Sequence, residues 1–268
     1  MNIKRFDSAQ LPPGLALATG SRAFARSETP CAGSLVHALN ESLPADALHE
    51  VFATKPIDRA SGWGFALLLA ARLAAGRSLF FVRQGRRGQG QLYPPGLAEL
   101  GMDPELFFQL HAPDTLALLR ATADIARSGA AGAVLAEIEG NPRLFDLTAS
   151  RRLALAAEKS GTAVLLLRVA AHEEPGAAYS RWGVVSAAST PLLADAPGPP
   201  AFAVTLLRHR RMAAGQSARL AWNTETRTFY EQAFSPAPQR DSAGEATFGR
   251  LFSLAARRAA DPRQHRAA

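Results

Sequence analysis

The chain of 268 residues holds a single cysteine, Cys31. It can therefore form no intrachain disulfide, no Cys-x-x-Cys redox pair and no cysteine zinc site. No apolar run reaches the roughly 18 residues that a membrane span needs, and no membrane partner is expected. The opening residues, MNIKRFDSAQ, lack the apolar core of a secretory signal, so a cytoplasmic location is the expectation. The six histidines make no H-x3-H or H-E-x-x-H pair, and neither metal nor another cofactor is expected. No G-x-S-x-G elbow occurs. Lysine is scarce. Lys4, Lys55 and Lys159 are the only three among 30 basic residues, and the rest are arginine. None of the three follows a glycine. That removes the G-x-x-x-x-G-K-[ST] loop, in which backbone amides cradle phosphates and the lysine reaches the β and γ oxygens.

What is present is a globular composition, 47% hydrophobic and 20% charged, with length enough for one large α/β domain and tails. The net charge is +7, with a pI near 10.4. A skewed codon usage accounts for arginine over lysine but not for the positive sum, which favours acidic partners, nucleic acid first.

Residues 1–42 are weakly patterned and broken by prolines, with one short helix expected near 34–42. From 47 onward the texture is strand and helix in turn. Strands are expected over 47–53, 78–83, 106–110, 133–138 and 162–168, and helices over 62–75, 113–128 and 148–160. GWGFALLLAARLAA, residues 62–75, is apolar nearly all round and reads as a buried helix. In the 113–128 helix, Leu116, Leu119, Ala123 and Ile125 or Ala126 are expected to face inward. Gly85–Pro95 reads as a loop with no helix opening after it. Alternating strands and helices indicate βαβ crossovers and a parallel sheet. Strands without alternation indicate cover on both faces. After residue 170, strands over 181–188, 201–208 and 217–222 suggest antiparallel additions at one edge, with Trp182 and Trp222 in the core or on the sheet face. Residues 233–268 read as a basic, flexible tail. Within it Phe248, Leu251, Phe252 and Leu254 form one face of a short amphipathic helix suited to partner docking.

Candidate chemistry is sparse. The connection Thr54-Lys55-Pro56-Ile57-Asp58-Arg59-Ala60-Ser61-Gly62 stands where a phosphate loop would stand. Thr54, Lys55, Asp58, Ser61 and Gly62 are its candidate residues, Ser61-Gly62 opening the helix as a cap would. Lys55 is at the wrong end and Asp58 would repel phosphate, so ATP binding is not expected. Glu137 ends a strand where a magnesium-organising acid would sit, and a structural role is the alternative. Arg83, Arg86 and Arg87, around a glycine-rich loop, read as solvated arginines or phosphodiester contacts. Arg208-His209-Arg210-Arg211 is the densest basic run. It is a solvated turn or a patch for nucleic acid or an acidic protein.

Taken in order, the segment LPADALHEVFA (residues 43–53), the failed phosphate loop, GFALLLAARLAA and SLFFVRQ resemble the ImuA family of bacterial damage-inducible mutagenesis proteins, related to the RecA recombinase and to the division inhibitor SulA. Residues 114–129, with their Ala-Arg-Ser-Gly ending, are similar to the RecA helix before the Walker B strand. Glu137 then falls at the Walker B position. Residues 162–168 resemble the strand ahead of RecA's second DNA loop. AYSRWGVVSAA (178–188) and LLRHRR (206–211) resemble later ImuA strands. The likeness spans about residues 43–230. Arg83-Gln84 stands where RecA carries a water-activating acid.

The resemblance implies an α/β fold with a RecA-like core over 43–232, its mostly parallel sheet flanked by helices and antiparallel strands at one edge. It implies a non-catalytic adaptor of SOS-induced translesion synthesis. The partner would be an ImuB-type, Y-family polymerase-like protein and, through it, an error-prone C-family polymerase, with single-stranded DNA or RecA as further candidates. The alternative is a SulA-like inhibitor of the division protein FtsZ.

Overall fold

The computed structural model describes residues 3–5, 34–85, 92–193 and 196–232. Cys31, Arg86, Arg87 and the segment holding Phe248, Leu251, Phe252 and Leu254 lie outside them. The chain parts into two compact units, Met1–Ala233 and Phe234–Ala268, and everything below concerns the first.

Among the described residues ten strands form one sheet: β1 (Ile3–Arg5), β2 (Leu48–Ala53), β3 (Leu79–Gln84), β4 (Phe107–Ala112), β5 (Ala133–Glu139), β6 (Ala163–Val169), β7 (Ser180–Ser186), β8 (Ala201–His209), β9 (Ser217–Asn223) and β10 (Thr228–Glu231). Their order is β1-β4-β3-β5-β6-β2-β7-β8-β9-β10. The six from β4 to β7 run parallel; β1 is antiparallel at one edge, and β8, β9 and β10 are antiparallel at the other. The fold class expected from the pattern is therefore the one observed. One strand departs from it. β7 continues the parallel set, with His49 opposite Ser180 and Phe52 opposite Gly183, and the antiparallel series begins only at β8. The reason is the connection 170–179, which carries the chain back along the sheet without a helix and so leaves no helical signature. β10, only four residues long, escaped the pattern entirely.

The helices are α1 (Leu35–His37, continued by a π turn over Ala38–Ser42), α2 (Arg59–Ala74), α3 (Pro94–Glu99), α4 (Thr115–Ser128) and α5 (Leu147–Ser160). α3 corrects the loop expected over 85–95, since Pro94 and Pro95 occupy a first turn, where proline's missing N–H costs nothing. α4 and α5 begin at Asp114 and Asp146, whose carboxylates accept from Ala117 N at 2.8 Å and Ala149 N at 2.7 Å. They end at Gly129 and Gly161, both left-handed. On α4 the inward residues are Leu118, Leu119, Thr122, Ala123 and Ala126, whereas Leu116 is exposed.

α4 and α5 cover one face of the parallel strands, and α2 lies on the other. α2 is apolar all round because it is enclosed. The β7–β10 end of the sheet supplies Trp182, Phe202, Trp222 and Phe229 to the core that α2 shares with β3, β5 and β6. Two glycines register this. A Cβ on Gly62 would lie 2.8 Å from Ala53 Cβ, on the parallel sheet; one on Gly64 would lie 3.3 Å from Phe202 Cε1, on β8. Two residues apart is about 200° around a helix, so the two glycines face opposite layers. Phe65 then inserts among Trp182, Phe202 and Phe229 at ring separations of 6.4, 5.8 and 5.1 Å.

A substitution pair tests this sandwich. Gly62→Ala must push two backbones apart and should destabilise by about 1–3 kcal/mol, despite the roughly 1 kcal/mol that alanine contributes to a helix interior. Gly64→Ala meets only the edge of one ring and should lie within about 1 kcal/mol of the parent. Urea unfolding of both variants distinguishes them.

Candidate functional site

The connection from β2 to α2 is short. Thr54 and Lys55 are exposed, Pro56–Asp58 forms a single 3-10 turn, and α2 begins at Arg59. Ser61 is therefore inside the helix rather than at its cap. Gly62 serves the packing just described, with no phosphate-cradling geometry around it. Asp58 is buried. Its Oδ1 accepts from Ser186 N at 3.1 Å and from the Ser186 hydroxyl at 3.4 Å, which fastens the turn to the end of β7.

Glu137 lies near the end of β5, buried, on the face that meets α2. Arg59 and Trp63 stand one turn apart on α2 and both reach it. Arg59 Nη2 donates to Glu137 Oε1 at 2.5 Å, and Trp63 Nε1 donates to Oε2 at 3.2 Å. Arg83, opposite Glu137 in the β3–β5 register, brings its Nε to 3.9 Å from Oε2. Arg59 also reaches Glu139, at 3.8 Å. Trp63 is held edge-on to Phe81 at 4.3 Å. Both oxygens of the Walker-B-like carboxylate are thus engaged by cations and an indole of this chain. A metal ion would have to displace Arg59 to reach Oε1.

A second charged cluster lies on the other face and was not singled out in the sequence. Glu50 of β2 is paired with Arg181 of β7 at 2.6 Å and with Arg168 of β6 at 3.5 Å, all three nearly inaccessible. Arg168 also donates to Gly140 O and lies 4.7 Å from the Phe145 ring centre. Burial pulls its guanidinium below the ordinary arginine range, with Glu50 opposing. The signal was present: Glu50 and Arg168 stand in strands otherwise read as apolar on both faces. Such charges persist only when paired.

The two basic clusters lie apart. Arg83 is at the C-terminal ends of the parallel strands, partly buried and turned to Glu137. Arg208, Arg210 and Arg211 are at the opposite end, because β8 runs down to meet the start of β7 with His209 opposite Ser180. There Arg208 Nη1 donates to Gly176 O at 3.3 Å and Arg210 Nη2 to Ala177 O at 3.5 Å, and Arg210 sits 5.6 Å over the Tyr179 ring. All three remain exposed.

Beneath them is a buried polar chain. His49 Nε2 donates to Pro44 O at 2.9 Å, which makes Nδ1 the acceptor for the Ser180 hydroxyl at 2.8 Å. Ser180 Oγ accepts in turn from Trp182 Nε1 at 2.8 Å. Among the described residues no group of three His, Cys, Asp or Glu side chains could hold a metal, and no helix is long and apolar enough to cross a membrane.

No family model matches the chain. Protein ImuA of Caulobacter vibrioides, in two strains, is 33% identical over 137 residues, which is 46% of this chain and 53% of that protein. Over that stretch the chain is similar to ImuA. The chain spans about half the length of the ImuA proteins it matches. Among solved structures, the RadB recombinase aligns with 71% of this chain and 92% of its own, at 16% identity and a TM-score of 0.47. SulA from Pseudomonas aeruginosa aligns with 47% and 99%, at 18% identity and 0.36.

Burial of His49 pulls its pKa from 6.5 down to about 4, the Pro44 hydrogen bond opposing. The unfolded chain takes up a proton near 6.5, where the folded chain does not. Stability from the neutral ring is therefore complete above pH 6.5 and falls as pH drops toward 4, by roughly 3 kcal/mol in all. Urea unfolding between pH 7 and 4.5 should show this fall, and His49→Gln should flatten it.

Proposed function

We propose that the chain is a non-catalytic adaptor in damage-inducible mutagenesis, without nucleotide binding or turnover. The observation that carries this reading is the engagement of Glu137. The acid at the Walker-B-like position is held by Arg59 and Trp63, and the adjoining turn contains Pro56 and a buried Asp58 in place of a glycine-lysine loop. The homology to ImuA supports the setting. The partner in this reading is an ImuB-type polymerase-like protein, and the error-prone polymerase is reached through it. A cytoplasmic location follows from such a role.

Contact with single-stranded DNA belongs to the Arg208, Arg210 and Arg211 cluster. The Arg208 and Arg210 guanidinium groups are steadied by main-chain carbonyls, and Arg210 also by Tyr179, while all three arginines stay exposed. Such a cluster holds phosphates without reading bases.

Co-elution of the full chain with an ImuB-type partner tests the adaptor reading, and a chain lacking residues 235–268 locates the docking. A complex lost on truncation assigns docking to the tail; a complex retained assigns it to the described unit; no complex in either form refutes the reading. For DNA, replacing Arg208, Arg210 and Arg211 by Glu should weaken single-strand binding and reduce the magnitude of the log Kd against log salt slope by about 2. An unchanged slope would rule the cluster out.

A further inference from the structure

At the end of α2 farthest from Glu137, the residues after the helix, the start of β3, the Met102–Phe107 stretch and the β9–β10 turn surround a pocket. Its floor is apolar, made by Leu79, Met102, Phe107 and Trp222, all buried. The Trp222 indole N–H is already committed to Leu100 O at 3.1 Å, so the floor asks for an apolar group. Measured out to bulk solvent the space is about 460 Å³. Much of that space is open to solvent, so the pocket is a shallow seat for one side chain.

The rim is cationic. Arg72, Arg77 and Arg227 stand around it. Arg72 Nε donates to Leu39 O at 3.2 Å and its Nη1 to Arg227 O at 3.4 Å, while Arg77 Nη2 donates to Gly129 O at 2.5 Å. Among the described residues none of the three pairs with a carboxylate within 4.0 Å. The acid of the rim, Asp103, accepts from Glu105 N at 3.0 Å. Arg227 is held at φ 54, a left-handed conformation that favours glycine or asparagine. Opposite it Gly101 has no Cβ to strike Thr224 O, which lets the turn close over the pocket. The rim thus sets three guanidinium groups against the one lining carboxylate, Asp103, with Glu41 acting on Arg72 from outside the pocket, and carries a positive excess.

We infer that this pocket docks an acidic peptide segment of a protein partner. One large apolar side chain fills the floor, and flanking carboxylates meet Arg72, Arg77 and Arg227. The inference deepens the adaptor reading and rests on it for the existence of a partner. The apolar floor favours a peptide over nucleic acid, since phosphates alone would leave it exposed to water.

The test uses the full chain and a fluorescein-labelled peptide, Asp-Glu-Leu-Phe-Asp-Glu, followed by anisotropy. Saturable binding is expected. Replacing Leu-Phe in the peptide by Ala-Ala should weaken it about tenfold or more. The double variant Arg77→Glu, Arg227→Glu should do the same, its fold checked by circular dichroism. A tripled substitution of Arg208, Arg210 and Arg211 by Glu should leave peptide binding intact. Equal binding of the Ala-Ala peptide, unaltered binding by the double variant, or displacement of the peptide by oligo-dT but not by unlabelled peptide would each overturn the proposal, as would no binding at all. The two readings fail separately. Absence of peptide binding with the ImuB-type partner still co-eluting removes the pocket and leaves the adaptor. Peptide binding without co-elution removes that partner and leaves the pocket.

Discussion

A helix with no polar face must be covered on every side, and α2 is such a helix. Nearly all of its turns are apolar, from Phe65 to Ala74. A flat parallel sheet can cover only one side of it. The strands β7 to β10 cover the other, placing Trp182, Phe202 and Phe229 against Phe65, with Trp222 packed on Phe229. Each large side chain buried there contributes about 1.5–3 kcal/mol, so the enclosure, rather than helix propensity, holds α2 in place. Gly62 and Gly64 set how closely the two layers approach. The position of α2 then dictates the chemistry at its start, because Arg59 and Trp63 are delivered to Glu137 by the same helix.

The buried charges obey the same constraint. Glu50, Arg168 and Arg181 cross-link β6, β2 and β7 at the place where the helix-covered sheet gives way to its antiparallel extension. Such clusters add little stability over an apolar equivalent, yet losing one partner costs several kcal/mol. They fix which strand lies beside which. β7 joins the parallel set through an extended connection, and the Arg181 contact with Glu174 O at 2.6 Å ties that connection to the strand it leads into.

Most of the fold was legible in the sequence because its helices and central strands carry strong periodicity or unbroken apolar runs. GWGFALLLAARLAA announced its own burial. The direction of β7 was not legible, since direction is set by the path of residues 170–179 and not by the composition of the strand. The candidate site was half legible. Glu137 was found as a strand-end acid, but its partners Arg59 and Trp63 were not. Their signal is a one-turn spacing that means something only when the helix is known to face that strand. Ser61 and Gly62 were read as the opening of the helix because α2 begins three residues earlier than its apolar pattern does. Arg83 and Arg208 lie at opposite ends of the sheet, a separation that only strand order reveals.

The central claim is that the strand-end site is closed by the chain's own side chains and is spent on structure. Titration of the full chain with magnesium-ATP in a calorimeter, paired with thermal unfolding at the same concentrations, tests it most directly. No saturable heat and no shift in Tm at millimolar nucleotide are predicted. Saturable binding with a rise in Tm, abolished by Glu137→Gln, would contradict the account, because a ligand that binds only the folded chain must stabilise it.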